Sequence, residues 1–282
     1  MRMAISFARV AALLIVAIFV ANTASTPQET APRSYLGFDC NVYPGDDALL
    51  VLRKTFAFTG YWLSPPPGER KSTWTGKREL LRSEGFGFLV LFLGRDSSEF
   101  KTEAAAKAKG TQDGKDAVAA AKSEGFPAGT IIFLDIEEGG RLSENYHAYL
   151  RAWSEQLQPA GYRPGVYCSG IPLKEEPGVS ITTAEDIRSH AASRDFAIWV
   201  YNDACPPSPG CIYKQDAPLP AKSGISYASV WQLVRSPRVK ETARHCQGYT
   251  QNGYCYAPGD AAHVWFLDVN SATSPDPSRG AK

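Results

Sequence analysis

The sequence predicts an α/β fold, a (β/α)8 TIM-type barrel with a weak or missing helix after its sixth strand. Three observations predict it. Apolar runs of strand length recur eight times, helix-like segments separate most of them, and no glycine-rich phosphate loop follows the first run. Alternating strands and helices imply a parallel sheet, and eight such units in about 250 residues suit a closed barrel. The runner-up is a doubly wound open sheet, which the missing phosphate loop disfavours.

The runs lie at 35–40, 57–63, 87–93, 130–136, 164–168, 196–201, 228–234 and 263–269. After the first, Asp46 or Asp47 can cap a helix running to about Thr55. Ahead of the fourth, the Ala-rich stretch 116–124 stops at Gly125, as a helix with a C-terminal glycine does. The stretch 143–159 is the clearest helix. Its Tyr146, Tyr149, Leu150, Trp153 and Leu157 fall on one apolar stripe. Thr182 and Glu185 make a capping box for a helix reaching Ala192. Between the sixth and seventh runs, 203–227 is rich in Pro, Gly and Ser and offers no helix.

The N-terminus reads as an export signal. Arg2 and Arg9 accompany an apolar run at 10–21, followed by small residues and Pro27. That run is shorter than the ~18–20 residues a membrane span needs, so no stable span is expected after cleavage. The chain therefore divides into a signal peptide at 1–26, a barrel at 35–270 and a disordered tail at 271–282. A secreted or periplasmic monomer is expected. Export makes the six cysteines disulfide candidates. Cys205 with Cys211 and Cys246 with Cys255 are the expected local pairs, swapped pairs staying open, while Cys40 and Cys168 are unassigned. A formal net charge of +1 gives nucleic acid no basic surface to bind.

The chemistry centres on the fourth run, Ile131-Ile132-Phe133-Leu134-Asp135-Ile136-Glu137. Strand alternation puts Asp135 and Glu137 on one face at the exit of a buried strand, where two acids are expensive unless used. Barrels carry their active sites where strands end. Asp39 ends the first strand and Asp268 the eighth, which closes beside it, so four acids should meet. Paired carboxylates suit glycoside hydrolysis. Glu137 is the expected proton donor, its pKa raised by like charges, while Asp135 stays ionised as stabiliser or nucleophile. Asp39 and Asp268 would tune the pair or position substrate, and Glu138 faces away as surface. Trp62 (or Tyr61), Tyr167, Trp199, Tyr201 and Trp231 offer faces for sugar rings, though such rings also fill barrel interfaces. Gln232 could hydrogen-bond a sugar or Asp268. The histidines, His147, His190, His245 and His263, form no metal or triad pattern, and no GxSxG elbow occurs. No metal and no cofactor are expected.

Several motifs occur in an order similar to that of family 25 glycoside hydrolases, the lysozyme-like muramidases. They are Gly37-Phe38-Asp39 with Tyr43-Pro44-Gly45, Leu134-Asp135-Ile136-Glu137, Gly161-Tyr162-Arg163-Pro164-Gly165-Val166-Tyr167, Val230-Trp231-Gln232 and Leu267-Asp268-Val269-Asn270. More closely, the approach Gly125-Phe126-Pro127-Ala128-Gly129-Thr130 resembles the glycoside-hydrolase-like barrel domain of exported bacterial proteins, a likeness covering about 35–270. The resemblance implies a TIM-type barrel with Asp39, Asp135, Glu137 and Asp268 on the lysozymes' acidic cluster. It also implies Glu137 as general acid on β-1,4 bonds of peptidoglycan. Ser64-Pro65-Pro66-Pro67 and the loops 203–227 and 240–258 depart from the lysozyme pattern and line the same rim. Two rivals follow: a catalytically silent barrel that binds glycan or an envelope partner, and a metal-dependent phosphodiesterase. The second is disfavoured because no histidine or lysine joins the acids to handle phosphate.

Overall fold

The computed structural model describes residues 33–190, 195–205, 217–235 and 267–282, with the side chains of 203–205 left out. The expected signal peptide, Cys211, Cys246, Cys255 and the side chain of Cys205 lie outside the described residues. Cys40 and Cys168 are free thiols, Cys168 buried. No described helix is long and apolar enough to cross a membrane.

Eight strands close a barrel. They are β1 (Tyr35–Asp39), β2 (Phe58–Trp62), β3 (Gly87–Leu93), β4 (Ile131–Asp135), β5 (Arg163–Ser169), β8 (Ala197–Cys205), β9 (Val230–Val234) and β10 (Asp268–Ala272). A separate exposed hairpin, β6 (Leu173–Glu176) and β7 (Val179–Ile181), follows β5 and was not expected from the sequence. The helices are α1 (Leu49–Leu52), α2 (Arg78–Ser83), α3 (Glu103–Ser123), α4 (Glu144–Leu157) and α5 (Thr183–His190). Around the barrel the strands run in the order β1, β10, β9, β8, β5, β4, β3, β2.

The barrel departs from the all-parallel (β/α)8 form at its last strand. β10 is antiparallel to both β9 and β1, and every other neighbouring pair is parallel. It begins at Asp268, where the expected eighth strand was ending. The reason lies in composition: Asn270, Ser271 and Ala272 are buried yet polar or small, and apolar patterning does not reveal them. In the described part of the connection from β8 to β9, a short 3-10 turn stands at Pro220–Ser223, and residues 206–216 of the stretch expected to lack a helix lie outside the described residues.

The reversed strand carries the chain to the opposite end of the barrel, and this overturns the disordered tail expected at 271–282. Ser278 N donates to Phe88 O at 2.8 Å, Ile131 N donates to Ser278 O at 2.8 Å, and Val90 N donates to Ser278 Oγ at 2.9 Å. Asp276 accepts from Phe88 N, Gly280 N and Ala281 N. The buried Arg78 guanidinium holds the Gly280 carbonyl at 2.8 Å. These bonds satisfy backbone donors that the starts of β3 and β4 would otherwise leave open.

Helix α4 follows its predicted stripe, with Ser143 as N-cap accepting from Tyr146 N at 3.2 Å. The capping box at α5 is also present: Glu185 N donates to Thr182 Oγ1, and Thr182 N donates to the Glu185 carboxylate. Helix α3 starts well before the expected position. Its buried stripe is Ala106, Gly110, Asp113, Gly114, Ala117 and Ala121, so α4 approaches the bare backbone. A Cβ at Gly110 would stand 2.2 Å from Tyr149 O, and one at Gly114 would stand 2.7 Å from Trp153 O. Gly110→Ala must therefore force the two helices apart, at a cost of about 3 kcal/mol. A urea midpoint unchanged from wild type would refute that packing.

Candidate active site

Inward-facing side chains of the barrel build one polar floor beneath its mouth. Asp39 pairs with Asp268 across the β1–β10 ladder, and Asn270 pairs with Gln232 across β10–β9. Asp268 reaches this rim at the start of a reversed strand, whereas Asp39 reaches it at the end of a forward one. Both routes lead to the same mouth. Asn270 Nδ2 donates to Asp39 Oδ1 at 2.6 Å, and Gln232 Nε2 lies 3.3 Å from both Asp39 Oδ1 and Asp268 Oδ2. Below them, Tyr167 OH donates to Gln232 Oε1 at 2.7 Å and Trp199 Nε1 donates to Asn270 Oδ1 at 3.0 Å. Gly60 leaves room for Asp39, since a Cβ there would stand 2.6 Å from the aspartate Cβ.

Asp135 ends β4 on the same inner face, only 3% exposed, with Oδ1 buried and lacking a hydrogen-bond partner. Burial, then the nearby charges of Glu137 and Asp39, push its pKa well above the usual carboxylate range. Burial likewise lifts Asp39 to about 6, against the opposing pull of the Asn270 and Gln232 amides and with a further rise from Glu137. Among the described residues, neither buried acid forms an ion pair. Glu137 lies just past β4 and is exposed. Its charge acts on Asp39, Asp135, Tyr167 and Tyr201, which places it over the same mouth.

The sequence reading kept Asp135 ionised and gave the held proton to Glu137. Burial instead raises the pKa of the enclosed Asp135, because desolvation penalises its charge, so Asp135 holds its proton more tightly than an ordinary carboxyl. The aromatic set also divides. Trp62 faces the interior, and its Nε1 is buried without a hydrogen-bond partner. Tyr201 shares the inner face with Tyr167, ring centroids 5.4 Å apart, and is half-buried. Trp199 is fully enclosed and belongs to the floor rather than to a sugar platform. Trp231 alternates away from Gln232, with Nε1 donating outward to Asn202 O at 2.9 Å. Tyr61 likewise points outward, to Glu124.

Sequence reasoning missed two contributors. Asn270 is the principal donor to Asp39, and its signal was present: it lies two residues from Asp268, hence on the same strand face. Glu138, assigned to the surface, anchors the loop that carries Glu137. Its carboxylate accepts from Ser97 N, and its carbonyl accepts from Thr183 Oγ1 at 3.1 Å.

Set beside known proteins, the chain shares its fold with an uncharacterized B. stearothermophilus protein at 21% identity. That match covers 84% of this chain and 95% of the other, with a TM-score of 0.52. The Tat-secreted protein Rv2525c of Mycobacterium tuberculosis, crystallised with L-tartrate, matches at 16% identity over 87% and 97% of the two chains, TM-score 0.50. A family 25 glycosyl hydrolase from Bacillus anthracis is 11% identical over 85% and 89%, TM-score 0.47. No protein with a curated description matches the chain in sequence. The family model for the Rv2525c-like, glycoside hydrolase-like domain matches residues 59–204, more than half of the 282 residues. The chain belongs to the Rv2525c-like, glycoside hydrolase-like domain family.

Proposed function

We propose that this chain is an exported hydrolase of cell-wall glycan, cleaving peptidoglycan-type β-1,4 bonds with Glu137 as general acid and Asp135 as the stabilising carboxylate. The observation that carries the reading is the pair of buried acids, Asp39 and Asp135, raised in pKa and set with Glu137 at one barrel mouth. Such a cluster destabilises the free protein, and active sites are where perturbed carboxyls of this kind collect.

The acids titrate as a coupled group, so the proton belongs to the cluster rather than to one residue. With the mouth open to water, burial keeps it on Asp135. An entering sugar strips water from Glu137 and makes its charged form the costlier one, so the proton moves there. Glu137 then gives that proton to the glycosidic oxygen as the bond to the anomeric carbon breaks. Positive charge developing on the ring faces the newly ionised Asp135. Water adds at the anomeric carbon, and its proton returns to the cluster. Asn270 and Gln232 hold Asp39 in place throughout, and Asp39 with Asp268 sets the field the pair feels. Trp62 and Tyr201 stack or hydrogen-bond the sugar, with the unused Trp62 Nε1 as a donor. The charged, apolar and small-residue pattern of 1–26 supports delivery to the envelope, where the substrate lies.

The test is to incubate the purified mature chain with peptidoglycan and with chitin oligomers and to measure new reducing ends. Release that Glu137→Gln abolishes supports the reading. Binding without release replaces it with a catalytically silent barrel.

A further inference from the structure

Away from the mouth, α4 and α5 bring together three side chains that hydrolysis does not use. His147 comes from the first turn of α4, while Asp186 and His190 lie four residues apart on one face of α5. One ligand atom from each lies within 4.8 Å of the others. His147 Nε2 is 3.0 Å from Asp186 Oδ2, and His190 Nδ1 is 3.3 Å from Asp186 Oδ1. Asp186 is completely buried and His147 is 2% exposed.

A second observation separates this cluster from an ordinary buried ion pair. His147 Nε2 is buried and makes no hydrogen bond, although the carboxylate oxygen stands at contact distance. Two atoms that close, but off the hydrogen-bond angle, are arranged as ligands facing a shared cation. A tetrahedral zinc with bonds of about 2.0–2.2 Å sets its ligand atoms about 3.4 Å apart, so three atoms already within 4.8 Å of one another need only a short closing movement to reach it.

We propose that His147, Asp186 and His190 form a transition-metal site of zinc type that clamps α4 to α5. Two imidazoles with one carboxylate select Zn²⁺ and its neighbours over Mg²⁺ or Ca²⁺, which take oxygen ligands. The two rings now stack at 3.9 Å, and His190 Nδ1 also lies 2.9 Å from the Asp186 carbonyl. Binding therefore turns the His190 ring off the stack, which its partly exposed position at the end of α5 permits. Water entering from that open side supplies the fourth ligand. Arg141 does not compete for the site. It is held by Glu175 at 2.8 and 2.9 Å and only grazes Asp186 at 3.5 Å.

The clamp also reaches the loop after β4. Asp186 Oδ2 accepts from Leu142 N at 2.9 Å, and Thr183 of the same helix holds the Glu138 carbonyl. A metal here would stiffen the segment that carries Glu137, but the site stands whether or not the barrel cleaves glycan.

The test uses the untagged mature chain, stripped with chelator and then titrated with Zn²⁺ alone. The expected results are one zinc per chain after gel filtration and a Tm raised by about 5–10 °C at a hundredfold excess over Kd. Co²⁺ in place of zinc should show visible absorption bands. His190→Ala changes a partly exposed position, so the chain still folds. It should weaken zinc binding by at least the ~10–100-fold that loss of a supporting group costs. Sub-stoichiometric zinc, or equal zinc affinity in His190→Ala, overturns the proposal and leaves a metal-free Asp–His cluster. Neither readout involves substrate, so failure here is distinct from failure of the hydrolase reading.

Discussion

Glu137→Gln lowers the rate of reducing-end release by about 10³-fold, the middle of the range for loss of a general acid. The substitution keeps the shape of the side chain but removes the proton that the leaving oxygen needs. Because the contribution arises only as the bond breaks, kcat should fall while KM stays near its original value. The Glu137 side chain is exposed, so thermal stability should hardly change. Removing its charge should also lower the pKa values of Asp39 and Asp135, since Glu137 raises both. The acid limb of any residual activity then moves to lower pH. Retention of more than a tenth of the rate would assign proton donation elsewhere in the cluster.

Asp39→Asn stabilises the protein at neutral pH and leaves it inactive or nearly so. The sign follows from burial. The folded pKa of Asp39, about 6, lies above the ordinary 3.8, so folding favours the protonated acid. Stability from this group is complete below the ordinary value and is lost as pH rises through the folded one. The loss amounts to roughly 3 kcal/mol once the carboxylate is fully ionised. Asparagine carries no charge to desolvate, and its oxygen still accepts from Asn270 Nδ2 and Gln232 Nε2. A gain of about 1–3 kcal/mol at pH 7.5, or roughly 2–12 °C in Tm, is expected, vanishing near pH 4. The difference between wild type and variant isolates Asp39 from acids such as Glu99, whose depressed pKa acts in the opposite direction. A variant less stable than wild type at pH 7.5, with the same pH slope, would refute the burial argument.

Much of the barrel was legible because its strands are continuous apolar runs. β3 matches its expected bounds, and β4 delivers Asp135 to the rim as alternation requires. The α5 capping box is a local signal and survived intact. What failed to show was structure without an apolar signature. The first half of α3 is hidden by Gly110 and Gly114, which read as helix breakers although they are contact points for α4. β10 is masked by Asn270, polar because it serves the site, and by Ser271, a small polar residue buried on the opposite face. The folding of 273–282 under the barrel depends on backbone hydrogen bonds, which composition does not encode.

The four acids were legible as positions, and their protonation was not. Desolvation depends on how deeply each carboxyl sits. Asp135 and Glu137, two residues apart on one strand face, differ because one is inside the barrel and the other is past its end. His147 and His190 were dismissed for lack of a local pattern. Their meeting is set by the packing of two helices, and no spacing within the chain announces it.

The central claim is that these acids share one mouth and one exchangeable proton. Carboxyl carbon NMR on ¹³C-labelled protein, followed through a pH titration of wild type and Glu137→Gln, tests it most directly. The account predicts that Asp39 titrates near 6, that Asp135 titrates well above the ordinary range, and that both fall in the variant. Ordinary values of about 4 for both, unmoved by the substitution, would contradict it.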